Sequence, residues 1–174
     1  MIIIDNFKDN FTIEEKTILE NKCENFIATS IPDPNSKSKK TNYYKRNEID
    51  RNDKSMVSII EKINTHIKNN FKNINIFLLD CWINKIDEST NQNDSFHKDD
   101  SFMTFIIYLN DDFEGGEFEY ILENNRKDKI KVHKYLTILS DHDLYHRVLP
   151  VTKGIRYSFV LFYDVIKKTE KTFV

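Results

Sequence analysis

The sequence HRVLPVTKGIRYSFVLFYDV, residues 146–165, contains the two features that decide the fold. It begins within a short strand-like segment, Tyr145 to Leu149, and ends with a long one, Ile155 to Val165. In the long segment Arg156 and Ser158 are two positions apart, so both side chains face the same side of a strand. An arginine that faces inward from an apolar strand indicates a site for an anion, because a guanidinium grips a carboxylate through two parallel hydrogen bonds.

Five segments of similar composition precede this stretch, and polar turns separate them. They are Ile74 to Ile83, Ser101 to Leu109, Glu117 to Leu122, Lys129 to Val132, and Leu136 to Leu139. Seven or eight short strands at close spacing are typical of a sandwich or a jelly roll. The second half of the chain is therefore predicted to be all-β.

The first half of the chain is predicted to contribute two helices. Thr12 to Ile27 has apolar residues at helical spacing and begins with a capping box, in which Thr12 is followed by Glu15. A second apolar stripe runs from Met56 to Phe71 and ends near the Asn69-Asn70 pair. The predicted fold class is accordingly mainly β with N-terminal helices (α+β), in which the helices buttress one sheet.

Two polar stretches are predicted to be loops. Ser30 to Asp53 is rich in Ser, Pro, Asn and Lys, which favours a mobile connection. Ile86 to Ser95 is longer and more polar than a hairpin turn needs. We interpret it either as a loop that covers the substrate or as an uncommitted insertion, with equal weight.

Length and composition restrict the class of protein. The 174 residues amount to about one domain, and 26 basic against 28 acidic residues argue against a nucleic-acid partner. The sequence has no apolar run of the roughly 20 residues that a membrane span needs, and no signal peptide is recognisable at its start. We therefore expect a cytoplasmic protein without a membrane partner. Cys23 and Cys81 lack metal or redox spacing and are expected to be reduced thiols.

A metal site is predicted around Phe96-His97-Lys98-Asp99-Asp100. His97 and Asp99 project to the same face of an extended chain, whereas Asp100 points to the opposite face. His146 is the natural third ligand. Two histidines and one carboxylate leave open coordination positions, which is the arrangement of non-haem Fe(II) oxygenases. The remaining histidines, His66, His133 and His142, are expected to be structural or loop residues.

Four separate motifs resemble one family, the Fe(II)- and 2-oxoglutarate-dependent oxygenases, and specifically its prolyl 4-hydroxylase-like branch. They are His97-Lys98-Asp99, Tyr108 to Asp111 followed by Gly115 to Phe118, His146 to Ser158, and Ile3 to Phe7. The C-terminal motif is the most specific, because histidine, Pro-Val, Gly and Arg must all recur in register. The resemblance spans nearly the whole chain.

The resemblance implies a double-stranded β-helix (a jelly roll, cupin-like) that holds iron through His97, Asp99 and His146. It implies one Fe(II)/2-oxoglutarate dioxygenase domain over residues 1–174, with a helical buttress at about 1–73 and a jelly-roll core at about 74–166. It also implies 2-oxoglutarate as co-substrate and ascorbate as a further cofactor. The residues expected to line the co-substrate pocket are Arg156, Tyr108, Ser158 and Trp82, although Tyr108 and Trp82 are equally compatible with plain core packing.

One departure from the family concerns the turn before the strand that leads to the distal histidine. The family often has Pro and Gly there, whereas this chain reads His133-Lys134-Tyr135-Leu136. The local turn geometry is therefore left open by the sequence.

By analogy with that branch, the expected reaction is hydroxylation of a peptidyl proline in a peptide or protein substrate, with release of succinate and CO2. The alternatives are a hydroxylase of a free amino acid or other small molecule, and a non-catalytic jelly-roll module that binds metal, since a fold and a metal site do not name a substrate. A nucleic-acid demethylase is disfavoured, because the residues after Arg156 lack the Asn and second Arg expected of that class.

Overall fold

The computed structural model describes residues 1–28, 45–72, 74–90 and 95–166, and these form two α-helices, a short 3₁₀ helix (Lys8–Asn10) and eleven strands. The helices are α1 (Ile13–Glu24) and α2 (Lys54–Asn70). The strands are β1 (Ile2–Asn6), β2 (Lys45–Glu48), β3 (Ile76–Asp87), β4 (Met103–Tyr108), β5 (Glu114–Gly115), β6 (Phe118–Ile121), β7 (Lys127–Ile130), β8 (Leu136–Asp141), β9 (His146–Val148), β10 (Val151–Lys153) and β11 (Ile155–Val165).

Three antiparallel sheets organise these strands. The largest has six strands in the order β1-β8-β4-β11-β3-β2, the second has three in the order β7-β6-β9, and β10 pairs with β5 in a short ribbon. The six-stranded and three-stranded sheets together line one cleft, and both helices pack on the opposite face of the larger sheet. The predicted fold class, a mainly β jelly roll buttressed by two helices, is confirmed.

Strand β4 shows how the larger sheet separates core from cleft, because its residues alternate between the two faces. The residues that pack under the helices are Met103, Phe105 and Ile107. Those that line the cleft are Thr104, Ile106 and Tyr108. Arg156 and Ser158 on β11 likewise both line the cleft, as the sequence spacing predicts. The period-two pattern of these strands thus positions the candidate site residues.

The helices follow the sequence prediction with one exception. Helix α2 buries its predicted apolar stripe, which comprises Met56, Ile59, Ile60, Ile63 and Ile67. Helix α1 has the predicted capping box between Thr12 and Glu15 but ends at Glu24, three residues before the predicted end. Ile13, one of the apolar residues at helical spacing in this segment, is 79% exposed. The buried residue of that turn is Glu15, whose carboxylate accepts hydrogen bonds from Ser58 and Lys62 of α2.

The loop prediction for residues 30–53 is wrong in part. Residues 45–48 form strand β2, which pairs with β3 although Lys45-Arg46-Asn47-Glu48 has no apolar alternation. The rest of that segment up to residue 44 lies outside the described residues. The loop predicted to begin at Ile86 begins later, because β3 continues to Asp87 and a turn closed by Thr90 follows. Residues 91–94 lie outside the described residues. Within the described ranges neither helix is long and apolar enough to cross a membrane.

Candidate active site

The three predicted metal ligands lie together at one end of the cleft. The ligand atoms of His97, Asp99 and His146 are all within 4.8 Å of one another, and His146 Nε2 is 3.8 Å from Asp99 Oδ2. A separation of 3.8 Å leaves room for one ion that contacts both atoms at about 2.0–2.2 Å, the usual length of such bonds. Two imidazoles and one carboxylate are a donor set that suits Fe(II) with open coordination positions. The residues present therefore fit the metal that the sequence predicts.

Backbone pairing joins the two histidines. The N–H and C=O groups of His97 and His146 exchange two hydrogen bonds of 3.0 Å, which form an isolated antiparallel bridge. Nδ1 of His97 lies 3.1 Å from the carbonyl oxygen of Ser95. Nδ1 of His146 lies 3.1 Å from the carbonyl oxygen of Leu144. Because a carbonyl oxygen only accepts, Nδ1 carries the proton of the neutral ring and Nε2 keeps a lone pair for a metal.

Two buried hydroxyl groups support the carboxylate of the cluster. Thr104 Oγ1 donates a 2.5 Å hydrogen bond to Asp99 Oδ2, and Ser101 Oγ lies 3.1 Å from Thr104 Oγ1. Thr104 is 2% exposed and Ser101 is 4% exposed, so both are held in fixed positions. The ring of Phe118 stacks on His146 with centroids 5.0 Å apart. Thr104 was not predicted from the sequence as a site residue. Its place in β4, the strand that directly follows the metal motif, was the available sign of such a role.

The guanidinium of Arg156 is buried in the same cleft and is 2% exposed. Its Nη1 donates a 2.7 Å hydrogen bond to the carbonyl oxygen of Gly116, and its Cζ lies 5.5 Å from the centre of the Tyr108 ring. Gly116 has a φ of +68°, and a Cβ there would lie 3.2 Å from Arg156 Cδ. The glycine turn at Gly115-Gly116 therefore fits closely around the arginine.

Tyr108 and Ser158 lie side by side next to this arginine. Ser158 of β11 pairs in register with Tyr108 of β4 on one side and with Asn84 of β3 on the other. Burial raises the pKa of the Tyr108 phenol to about 12, against the opposing effect of Arg156. The phenol therefore stays neutral and able to donate a hydrogen bond. An anion at this place would meet a guanidinium, a phenol and a hydroxyl.

Trp82 also lines the cleft, on the side of β3. Its ring lies 4.5 Å from that of Phe162, and the Cζ of Arg46 lies 4.4 Å from the indole centre. Burial lowers the pKa of Arg46, which is half-buried. Arg46 was not predicted from the sequence as a residue of the cleft, because it lies in a segment without the apolar pattern of a strand. The cleft thus has a second arginine, on a different strand from Arg156.

The other candidates from the sequence lie outside the cluster. Asp100 and His133 are exposed, His142 stacks on Phe102, and His66 packs against Phe7. Cys23 and Cys81 are both free thiols. Burial raises the pKa of Cys23 to about 12 and that of Cys81 to about 11, which disfavours a thiolate nucleophile.

The turn that the sequence left open is formed without Pro or Gly. Tyr135 takes a φ of +65°, and its N–H donates a 2.7 Å hydrogen bond to the carbonyl oxygen of Tyr108. The ring of Tyr135 is buried against Phe11, with centroids 6.2 Å apart. Packing of the aromatic ring thus compensates for a backbone conformation that favours glycine.

Comparison with protein families matches residues 81–164 to the 2OG-Fe(II) oxygenase superfamily. The matched segment contains His97, Asp99, His146 and Arg156. Comparison with curated proteins finds no match.

Comparison with solved structures finds several similar folds. A 2OG-Fe(II) oxygenase family oxidoreductase from Burkholderia pseudomallei is 23% identical with a TM-score of 0.55, and the match covers 70% of this chain and 65% of that one. The viral collagen prolyl hydroxylase of Paramecium bursaria Chlorella virus 1, solved as its 2OG complex, is 16% identical with a TM-score of 0.65 and coverage of 95% and 96%. A Trichoplax adhaerens prolyl hydroxylase, in complex with a hypoxia inducible factor peptide fragment, is 16% identical with a TM-score of 0.64 and coverage of 94% and 83%.

These similarities support the same conclusion as the geometry of the cleft. The match over residues 81–164 and the prolyl hydroxylase folds among the solved structures confirm the resemblance that the sequence motifs predict. Residues 81–164 match a 2OG-Fe(II) oxygenase domain, and the chain has a prolyl hydroxylase-like fold.

Proposed function

We propose that this protein is an Fe(II)- and 2-oxoglutarate-dependent hydroxylase of peptidyl proline. The observation that carries the proposal is the presence of the His97, Asp99 and His146 cluster and the buried Arg156 in one cleft. We further propose that residues 1–174 act as one catalytic domain in the cytosol. Ascorbate as an accessory cofactor stays a prediction.

In this proposal His97 Nε2, His146 Nε2 and a carboxylate oxygen of Asp99 hold Fe(II). When bound, the metal supplies the activation of oxygen that couples oxidation of 2-oxoglutarate to hydroxylation. The backbone carbonyl groups of Ser95 and Leu144 orient the imidazole rings, and Thr104 orients the carboxylate. Such outer contacts fix ligand geometry before the metal arrives.

Arg156 is proposed to bind the far carboxylate of 2-oxoglutarate. The guanidinium already donates from Nη1 to Gly116, and this contact fixes its plane in the cleft. The neutral phenol of Tyr108 and the hydroxyl of Ser158 would donate to the same carboxylate. Trp82 forms part of the wall on the β3 side. Because Arg156, Tyr108 and Ser158 are buried, each of these charged hydrogen bonds would be strengthened.

The overall reaction converts a substrate C–H bond, O2 and 2-oxoglutarate into a C–OH group, succinate and CO2. One oxygen atom enters the hydroxyl group and the other enters the new carboxylate of succinate. Two similar folds belong to prolyl hydroxylases, and one of them was solved with a peptide. This similarity, together with the family motifs, supports peptidyl proline as the substrate.

The test is succinate formation from 2-oxoglutarate by protein loaded anaerobically with Fe(II), with and without proline-containing peptides. We expect His146→Ala to abolish turnover. The matched control is His142→Ala, which removes an exposed histidine outside the cluster and should keep it. Peptide-stimulated succinate and a mass gain of one oxygen on proline would support the proposal. Fe(II) binding without any turnover on peptides would reject peptidyl proline as the substrate.

The co-substrate site is tested separately. Arg156→Lys keeps the charge but loses the planar guanidinium, so KM for 2-oxoglutarate should rise by about tenfold or more. Arg147→Lys is the matched control, because Arg147 pairs with Glu119 at 2.6 Å and does not line the cleft. An unchanged KM in Arg156→Lys would contradict the proposed role of this residue.

A further inference from the structure

Buried polar atoms without a hydrogen-bond partner among the described residues line the cleft. Among them are Trp82 Nε1, a donor, and Asn84 Oδ1, an acceptor. A buried polar atom without a partner costs free energy, so such atoms in a cleft indicate a ligand that completes their hydrogen bonds. The acceptor is the more informative of the two, because it restricts which ligand can satisfy it.

The co-substrate proposed above cannot satisfy Asn84 Oδ1. At neutral pH 2-oxoglutarate has two carboxylates and a ketone, and all of these groups only accept hydrogen bonds. A second acceptor facing them is repulsive. The oxygen of Asn84 therefore requires a group that carries N–H or O–H, and the primary substrate can supply such a group.

Arg46 provides a donor next to this acceptor. It lies on β2 directly opposite Asn84 of β3, where side chains of paired residues are about 5 Å apart. The Cζ of its guanidinium lies 4.4 Å from the centre of the Trp82 ring, over the ring, and Arg46 lines the same cleft. A guanidinium has five N–H groups directed along its edges, and none of them can accept. One acceptor and one donor group thus lie side by side at the β2 edge of the cleft.

We propose that Asn84 and Arg46 bind a backbone peptide group of the substrate, with Asn84 Oδ1 accepting from an N–H and Arg46 donating to a C=O. This inference rests on the proposed function and names the part of the substrate that is recognised. An extended or polyproline II segment offers both groups, since it forms no internal hydrogen bonds. Because proline itself has no N–H, the donor belongs to a residue next to the target proline.

Two proline-rich peptides that differ in their backbone N–H groups test whether the substrate must donate to Asn84. A (Pro-Ala)5 peptide with an N-terminal acetyl group and a C-terminal dimethylamide carries N–H groups at its alanines, whereas a ten-residue polyproline blocked in the same way carries none. Both adopt extended conformations and both offer carbonyl groups. The proposal predicts that (Pro-Ala)5 binds at least about tenfold more tightly than polyproline, because only it can satisfy Asn84.

Binding is measured without turnover by the fluorescence of Trp82, the single tryptophan of the chain, in protein loaded with Mn(II) and 2-oxoglutarate under anaerobic conditions. We expect Asn84→Leu to weaken (Pro-Ala)5 by about tenfold and to remove its preference over polyproline. Asn84→Asp keeps an acceptor and should keep the preference. Arg46→Gln should weaken both peptides, and the control Lys45→Gln, on the same strand but outside the cleft, should weaken neither.

The outcomes separate this inference from the proposed function. Equal binding of both peptides, or no binding of either, would overturn the peptide clamp. A rise in KM for 2-oxoglutarate in Asn84→Asp, with unchanged peptide binding, would also overturn it, since the amide would then serve the co-substrate. The His146-dependent formation of succinate is an independent readout, and its loss would reject the proposed function instead.

Discussion

The hydroxyl of Thr104 donates a 2.5 Å hydrogen bond to Oδ2 of Asp99, the same oxygen that lies 3.8 Å from His146 Nε2. This contact restrains one oxygen of the carboxylate and so limits the ways in which Asp99 can bind a metal. Thr104 acts on the site through its hydrogen bond to Asp99, so its role is positioning.

Replacing Thr104 by Val should therefore weaken metal binding by about 10- to 100-fold, the usual effect of losing an outer contact. The substitution keeps the shape of the buried side chain and removes only the hydroxyl. Anaerobic titration with Co(II), followed by its visible absorption, measures the affinity. Thr104→Ser restores the hydroxyl and should recover most of the affinity. Equal affinities in Thr104→Val and the unmodified protein would contradict the positioning role.

Replacing Gly116 by Ala should impair use of 2-oxoglutarate. The new Cβ would lie 3.2 Å from Arg156 Cδ and 3.0 Å from Val151 Cγ2, and the φ of +68° adds about 1–3 kcal/mol of strain. We expect KM for the co-substrate to rise about tenfold and the melting temperature to fall. Gly154→Ala is the matched control, because it carries similar strain at a φ of +82° without touching Arg156. A similar KM in both variants would show that strain alone is responsible.

Replacing Tyr108 by Phe distinguishes a binding role from plain packing. Burial raises the pKa of this phenol to about 12, so it donates a hydrogen bond at every working pH. If the phenol binds 2-oxoglutarate, KM should rise about five- to tenfold at pH 6 and pH 8 alike. If Tyr108 only packs, KM stays constant in the succinate assay, and that result would remove it from the site.

The ion pair between Lys22 of α1 and Asp53, the N-cap of α2, should make stability depend on pH. Hydrogen bonds from Lys22 and Ser55 lower the pKa of Asp53 to about 2. A carboxylate whose pKa is lower in the folded state stabilises that state at pH values above its unfolded-state pKa, which is near 4. This contribution is lost as the pH falls through about 2.

Asp53→Asn isolates this effect, because asparagine is also a good N-cap. We expect urea unfolding at pH 7 to show a loss of about 1 kcal/mol after allowance for solvent screening. The variant should also lose less stability than the unmodified protein between pH 4 and pH 2. Parallel pH profiles of the two proteins would refute the assignment.

Much of the fold follows from local sequence patterns. Strands β4 and β11 are rich in Ile, Phe, Tyr and Val between polar segments, and α2 has an apolar stripe, so each was predictable from composition and period. The proximity of His97 and His146 has no local signal, because the bridge that joins them spans distant parts of the chain. It was predicted from the ligand types and from the family resemblance.

Other parts of the site leave no local signal. Strand β2 is polar throughout and exists because β3 offers it a pairing edge, so Arg46 was assigned to a loop. Glu15 is buried in α1 together with Leu19, because Lys62 and Ser58 of α2 satisfy its charge. Thr104 differs from other threonines only through its contact with Asp99. Strand β2 and Glu15 depend on partners that are distant in sequence, and Thr104 depends on a side-chain contact that no local pattern encodes.

The antiparallel bridge between His97 and His146 has a consequence for the unfolded chain. These residues are 49 positions apart, so a metal bound to both closes a long loop, as a disulfide would. Closing such a loop lowers the conformational entropy of the unfolded ensemble and so favours the folded state. This effect adds to the stability that any ligand gives by binding the folded state. Iron would thus act as a reversible cross-link as well as a reaction centre.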